Sequence, residues 1–458
     1  MSVLKTGQIA ALIFAFLLSR AVAAQTAGLD TPADPRISMA LKEISAEHVH
    51  ATIAKLVSFG TRSTLSAQDP ASIAAGRGIG AAREWLKSEF ERYSKECGGC
   101  LEVKVDAFIQ PAVERVKEPT PLTNIYAVLK GTDPSPHIVL VTGHYDSRNS
   151  DNFNVSRDAP GANDDASGTA VSLECARVLS KLKFRQTIIF LTVPGEEQGL
   201  LGSKHLAQIA RQEGWPLDAV LNNDIVGGNK GPDQDAQVVR VFSEGVPRQI
   251  DEQHLRAIEA LGGENDSTSR ELARYVAATA DTYRTSVKPL MIFRLDRFLR
   301  GGDHASFNEQ GFSAVRFTEY REDFTRQHQD IRVENGINYG DTLDHVDFDY
   351  VANVARVNAA TLASIASAPV APTNVKIELT NLDNDSALSW DASPGASDYE
   401  VLWRATSSPQ WEHAQKLGAL TRTTLKISKD NVIFAVRALD KAGHASLPVV
   451  PVPPPRGR

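Results

Sequence analysis

The chain has 458 residues, 42% of them hydrophobic and 23% charged, with 31 Gly and 23 Pro, which excludes collagenous, disordered and coiled-coil chains and, at ~150 residues per domain, sets an expectation of about three domains. Lys and Arg number 49 against 56 Asp and Glu, a net charge of −7, so no nucleic-acid partner is expected: the large basic face that phosphate contacts require is missing. Three cysteines cannot staple a chain this long, so stability must come from a large buried core.

Residues 1–24 carry Lys5, an apolar run from Ile9 to Leu18 and the small-residue exit Ala21-Val-Ala-Ala24. That order describes a secretory signal peptide. The run is too short for the ~20 apolar residues of a spanning helix, and no later stretch reaches that length, so no transmembrane segment is expected. An exported protein, periplasmic or extracellular, follows. Export permits disulfides, and Cys97 with Cys100 in Glu-Cys-Gly-Gly-Cys reads as a local one, because no second pair or nearby His completes a metal site. Cys175 sits mid-helix among apolar residues and reads as a buried free thiol.

Two stretches, about 38–59 and 72–95, have helical period. From Leu101 the pattern turns to strands at 101–110, 122–129 and 137–143. Helices at about 166–182 and 199–213 then alternate with strands at 186–193 and 218–226. Further helical runs (252–261, 268–283), a strand (288–293) and a helix at 347–366 complete the pattern. Strands alternating with helices of this length argue for an α/β unit over 30–367, with a mixed, mostly parallel central sheet flanked by helices. Residues 368–373 read as a linker. Short, evenly spaced strands over 374–449 indicate a small C-terminal β-sandwich. There Trp390, Tyr399 and the run Phe434–His444 resemble a fibronectin type III module. It is either a passive module or one that contacts a surface or polymer. The Pro-rich end, 450–458, reads as a disordered tail.

The chemistry-bearing residues fall at strand ends. One strand runs into His144-Tyr-Asp146-Ser, the next into Gly195-Glu196-Glu197, and a third into Asn222-Asn-Asp224. Between the first two lies the loop Pro160-Gly-Ala-Asn-Asp164-Asp165-Ala-Ser-Gly168. In open parallel sheets, sites form outside the carboxyl ends of the strands, so these pieces should converge. Acids and imidazoles crowded together need a cation among them, and zinc accepts N and O ligands of this kind. One acid can bridge two ions, which then activate water.

In this order the motifs resemble the double-zinc aminopeptidases of the glutamate carboxypeptidase superfamily, over about residues 40–365. The resemblance implies a phosphorylase/hydrolase-like zinc exopeptidase fold with an eight-stranded mixed sheet. It implies two Zn²⁺ ions: one held by His144, Asp164 and Asp224, the other by Asp164, Glu197 and a distal His. Glu196 would be the general base, and Asp146 would orient His144. The Asp164–Asp165 peptide matches a position that is often cis in the family.

For the distal His, Gly302-Asp303-His304-Ala-Ser-Phe307 matches the element that precedes it in the family, and the ligand follows after a strand (312–317) and a loop. His328 is the choice, with His345 in Asp341-Thr-Leu-Asp-His345 as the rival. His304 reads as a pocket-wall residue that helps shape the site, with a structural core role as the alternative. Relatives often carry a carbonyl-polarising Tyr immediately before the ligand, where this chain has Gln327; Tyr320, Tyr339 or another donor is left to fill that role. The reaction implied is hydrolysis of the N-terminal residue of peptide substrates. Glutaminyl cyclisation, carboxypeptidase or dipeptidase action and non-catalytic binding on the same fold are the alternatives. The full five-ligand set favours hydrolysis.

Overall fold

The computed structural model describes residues 31–451 except Asn229, Gly231, Pro232 and Asn381. The 1–24 segment and most of the tail lie outside the described residues. Two units are resolved, 33–367 and, from Ala368 onward, a smaller one.

The first unit opens with helices α1 (Pro35–Lys42), α2 (Ala46–Val57), α3 (Pro70–Ala74) and α4 (Gly78–Glu96). Each helical stretch expected from the sequence is therefore two helices. Ser45 accepts hydrogen bonds from the Glu47 and His48 amides and restarts the first. Gly76 and Gly78, both at positive φ, break the second. Cys97 and Cys100 form a disulfide after α4, and Cys175 is buried and free.

An eight-stranded sheet follows. Its strands are β1 (Leu101–Gln110), β2 (Thr120–Leu129), β3 (Ile138–His144), β4 (Thr187–Val193), β5 (Leu217–Asn223), β6 (Val238–Ser243), β7 (Lys288–Ile292) and β8 (Ala314–Glu319). The spatial order is β1-β2-β4-β3-β5-β8-β6-β7. The pairs β4·β3, β3·β5, β5·β8 and β6·β7 are parallel, and β1·β2, β2·β4 and β6·β8 antiparallel. The sheet is mixed with a parallel centre. β6 is a strand that the sequence pattern did not single out.

The parallel centre is apolar on both faces because helices cover both. Leu140 on β3 packs with Ile189, Leu206, Val220 and Phe307, on the side of α6 (Leu201–Gln212) and α9 (His304–Glu309). Its neighbours Val139 and Val141 are equally buried and point the other way. There β3 meets α5 (Ala166–Leu179) and α10 (Phe348–Ser367). Every residue of α5 is buried. Helices α7 (Glu252–Leu261) and α8 (Thr268–Thr282) and a hairpin, β9 (Arg332–Glu334) with β10 (Ile337–Tyr339), complete the unit. Among the described residues no helix is long and apolar enough to cross a membrane.

The second unit has two three-stranded antiparallel sheets. One is β11 (Thr373–Ile377), β12 (Ser386–Asp391) and β15 (Arg422–Leu425); the other is β14 (His413–Lys416), β13 (Asp398–Ala405) and β16 (Val432–Leu439). Leu388 and Trp390 from one sheet and Val401, Phe434 and Val436 from the other share one core, as in a small sandwich.

Candidate functional site

The order β4-β3-β5 sets three strand ends side by side. His144 is the last residue of β3, Glu196 and Glu197 follow β4, and Asp224 follows β5. The 160–168 loop drops onto them because Gly168 has no side chain: a Cβ there would lie 2.1 Å from the Asn223 carbonyl oxygen. The Asp164–Asp165 peptide in this loop is cis.

These residues converge as two triads with one shared member. Ligand-type atoms of His144, Asp164 and Asp224 lie within 4.8 Å of one another, as do those of Asp164, Glu197 and His328. His144 Nε2 is 3.2 Å from Asp164 Oδ1 and 4.0 Å from Asp224 Oδ1. His328 Nε2 is 2.9 Å from Asp164 Oδ2 and 3.0 Å from Glu197 Oε1. His345 is elsewhere, its Nε2 4.0 Å from Asp323. It is thus His328 that the fold brings to the carboxylates.

The donor set fits divalent metal ions. His144 Nε2 and Glu197 Oε1 are buried yet make no properly aimed hydrogen bond, although each has an opposite partner within about 3 Å. Atoms so placed face a common point rather than each other, as ligands of one cation do. Without a cation the titration is skewed. Burial, reinforced by Glu197 and Asp303 and opposed by His144, pushes Glu196 well up. For His328, burial favours the neutral ring, but Glu197 and Asp164 outweigh it and raise the pKa to about 10. Asp224 is raised by burial against the pull of Arg316.

Several groups hold this arrangement. His144 Nδ1 lies 3.1 Å from the Asp146 carbonyl oxygen and 3.3 Å from its Oδ1. The same carboxylate accepts the Thr64 hydroxyl and the amides of Glu196 and Glu197, so Asp146 ties the β3 end to the β4 end. Asp165 accepts amides from His144 at the end of β3, Gly168 in the first turn of α5 and Ile225 in the loop after β5. Asp341 accepts the amides of Asn163 and Asp164, and burial pushes its carboxyl up to about 7. Arg316, fully buried, is 2.9 Å from Asp224 Oδ1 and 3.1 Å from Asp296 Oδ2. Leu200, Ile225 and His328 all have positive φ, conformations costly for such residues and concentrated at functional sites.

The sequence did not single out Asp165, Asp341 or Arg316 for these roles. The Asp-Thr at 341–342 was the one trace of Asp341. His304 is corrected: it is buried with Nε2 2.9 Å from the Leu295 carbonyl oxygen, and it does not line the cavity. Gln327 does line it and donates to Asp164 Oδ2 at 3.1 Å. Neither Tyr320 nor Tyr339 reaches that cavity.

The cavity, about 520 Å³, has Asp164, Glu196, Glu197, Asp224 and His328 on its walls. Residues 124–363 match the model of peptidase family M28. The chain belongs to peptidase family M28. This M28 protein is 46% identical over 428 residues to a "Probable zinc metalloprotease" of Pyrenophora tritici-repentis, covering 92% of this chain and 88% of that one. It is 44% identical over 431 residues to one of Leptosphaeria maculans, covering 93% and 99%. Among solved structures it resembles the LapA aminopeptidase of Legionella pneumophila, with a TM-score of 0.52 at 23% identity over 72% of this chain and 74% of that one. At that identity the likeness speaks for the fold.

Proposed function

We propose that the chain is a zinc-dependent aminopeptidase that hydrolyses the N-terminal residue of peptides at a two-metal centre. The observation that carries this reading is Asp164, which belongs to both triads and can bridge two ions. His144 and Asp224 would complete one ligand set, Glu197 and His328 the other. Zinc, when bound, supplies Lewis acidity that brings the pKa of a water towards ~7 and polarises the scissile carbonyl.

The chain's own groups do the rest. Glu196 is on the cavity wall but in neither triad, so its carboxylate is free to accept the proton of the attacking water and return it to the departing amine. Asp146 holds His144 Nδ1 and so presents Nε2 to the centre. The wall carboxylates receive the substrate's α-amino group. The names of the fungal relatives support a zinc protease. We also infer an exported protein, which the Cys97–Cys100 disulfide supports.

Glu196→Gln tests the base. It should keep wild-type zinc content while turnover falls by about 10²–10⁴. Full activity in this variant would remove Glu196 from that role.

A further inference from the structure

The walls of the cavity are as rich in cations as in carboxylates. Arg115, Arg148, Lys204, Arg297 and Arg300 line it together with Asp164, Glu196, Glu197 and Asp224. They come from four separate places: the β1–β2 connection, the loop after β3, helix α6 and the loop after β7. In a chain whose net charge is −7, that convergence is not a general excess of basic residues.

The cations differ in how far they are answered. Arg297 and Arg300 share one carboxylate, Glu322, at 2.7 and 2.9 Å. Arg115 donates to the Glu197 carbonyl oxygen at 3.1 Å, and Lys204 to that of Gly199 at 3.0 Å. Arg148 donates to the Asn149 carbonyl oxygen and lies 3.9 Å from Glu197 Oε2. These three therefore hold their loops through backbone oxygens and keep further donors unspent. The four wall carboxylates are those assigned above to the metals, to the base and to the substrate's α-amino group. Once they are engaged, the wall has no negative surplus to set against the cations, and the mouth is electropositive.

We propose that the substrates are short peptides carrying a carboxylate that Arg115, Arg148 and Lys204 bind, an inference that rests on the aminopeptidase reading of the same cavity. The volume suits the end of a peptide. Leu299 and Phe324, also on the wall and exposed, offer apolar contact beside the cations. The carboxylate has two sources: an acidic side chain or the free C-terminus of a dipeptide.

Four substrates separate them: Leu-Ala-amide, Leu-Ala with a free carboxylate, Leu-Glu-amide and Glu-Ala-amide. With the zinc-loaded enzyme at low ionic strength, at least one carboxylate-bearing peptide should exceed Leu-Ala-amide by about tenfold in kcat/KM. The peptide that does so identifies the source. The ratio should shrink at high salt and fall towards one in a combined Arg115→Met, Arg148→Met, Lys204→Met variant. The same preference should appear as tighter binding to the Glu196→Gln protein by titration calorimetry, which needs no turnover. Cleavage of the neutral amide as fast as all three acids would overturn the proposal and leave the aminopeptidase reading standing. Preferential binding of acids without cleavage by the wild-type enzyme would overturn that reading and leave the three cations as a carboxylate-binding site only. A preference that survives the combined variant would remove these three residues from it.

Discussion

Arg62 is fully buried and has no carboxylate within ion-pair distance among the described residues. Its guanidinium donates instead to four backbone carbonyls: Tyr145 at 2.8 Å, Gly161 at 2.9 Å, Leu56 at 3.1 Å and Pro160. Burial lowers its pKa to about 10, with Asp341 and Asp146 opposing, and it stays charged at neutral pH. One side chain thus clamps the loop after His144 to the loop before Asp164. Arg62→Met leaves the Tyr145 and Pro160 carbonyl oxygens without their donor, at about 1–3 kcal/mol each, while Gly161 keeps the Ala166 amide and Leu56 the Phe59 amide; with part offset by no longer burying a charge, we expect a loss of about 2–4 kcal/mol. In a unit of this size that lowers the melting temperature by about 3–6 °C. Arg62→Lys, which keeps the charge but not the fork, should fall between. Calorimetric melting and zinc analysis of the purified variants measure both effects. A Met variant within 1 kcal/mol of wild type, with full zinc content, would refute the clamp.

Asp164→Ala should lose both metal ions, since one carboxylate serves both triads; retention of one full equivalent by metal analysis would argue against a bridge. His328→Ala should lose zinc while His345→Ala keeps it, and the reverse would move the distal ligand to His345. Glu319 is buried against Asn163 and Gly228, and burial raises its pKa well above the ordinary value despite those two hydrogen bonds. The folded state therefore holds this proton to higher pH than the unfolded chain, and its stabilisation, complete below ~4.5, is lost as pH rises, by at most about 1.4 kcal/mol per unit. Glu319→Gln lacks that loss, so its melting temperature should gain on wild type from pH 5 to pH 8; a constant difference would contradict the sign.

The strand-end residues were legible because each closes a short run of apolar, β-branched residues, and adjacent parallel strands bring such ends together. The convergence of His144, Glu196, Glu197 and Asp224 needed only that argument; their division into ligands and base came from the family resemblance. His328 needed the family spacing, since nothing local distinguishes it from His345. Arg62, Asp165, Asp341 and Arg316 were not legible in their supporting roles. Arg62 meets Tyr145 from 83 residues away and Asp341 meets Asp164 from 177, and such pairings leave no periodicity behind. The division of residues 38–59 into α1 and α2 turned on one capping hydroxyl, Ser45, whose neighbours continue the helical period. The cationic wall was hidden for a related reason, as its members come from three connections and a helix that only the fold assembles.

The central claim is a two-metal centre that releases N-terminal residues. Zinc content of the purified enzyme, measured with the cleavage of aminoacyl-chromogenic substrates before and after chelation, tests it most directly. The account predicts close to two zinc ions per chain and a release that chelation abolishes and added zinc restores. No bound zinc under replete conditions, or N-terminal release that survives its complete removal, would contradict it.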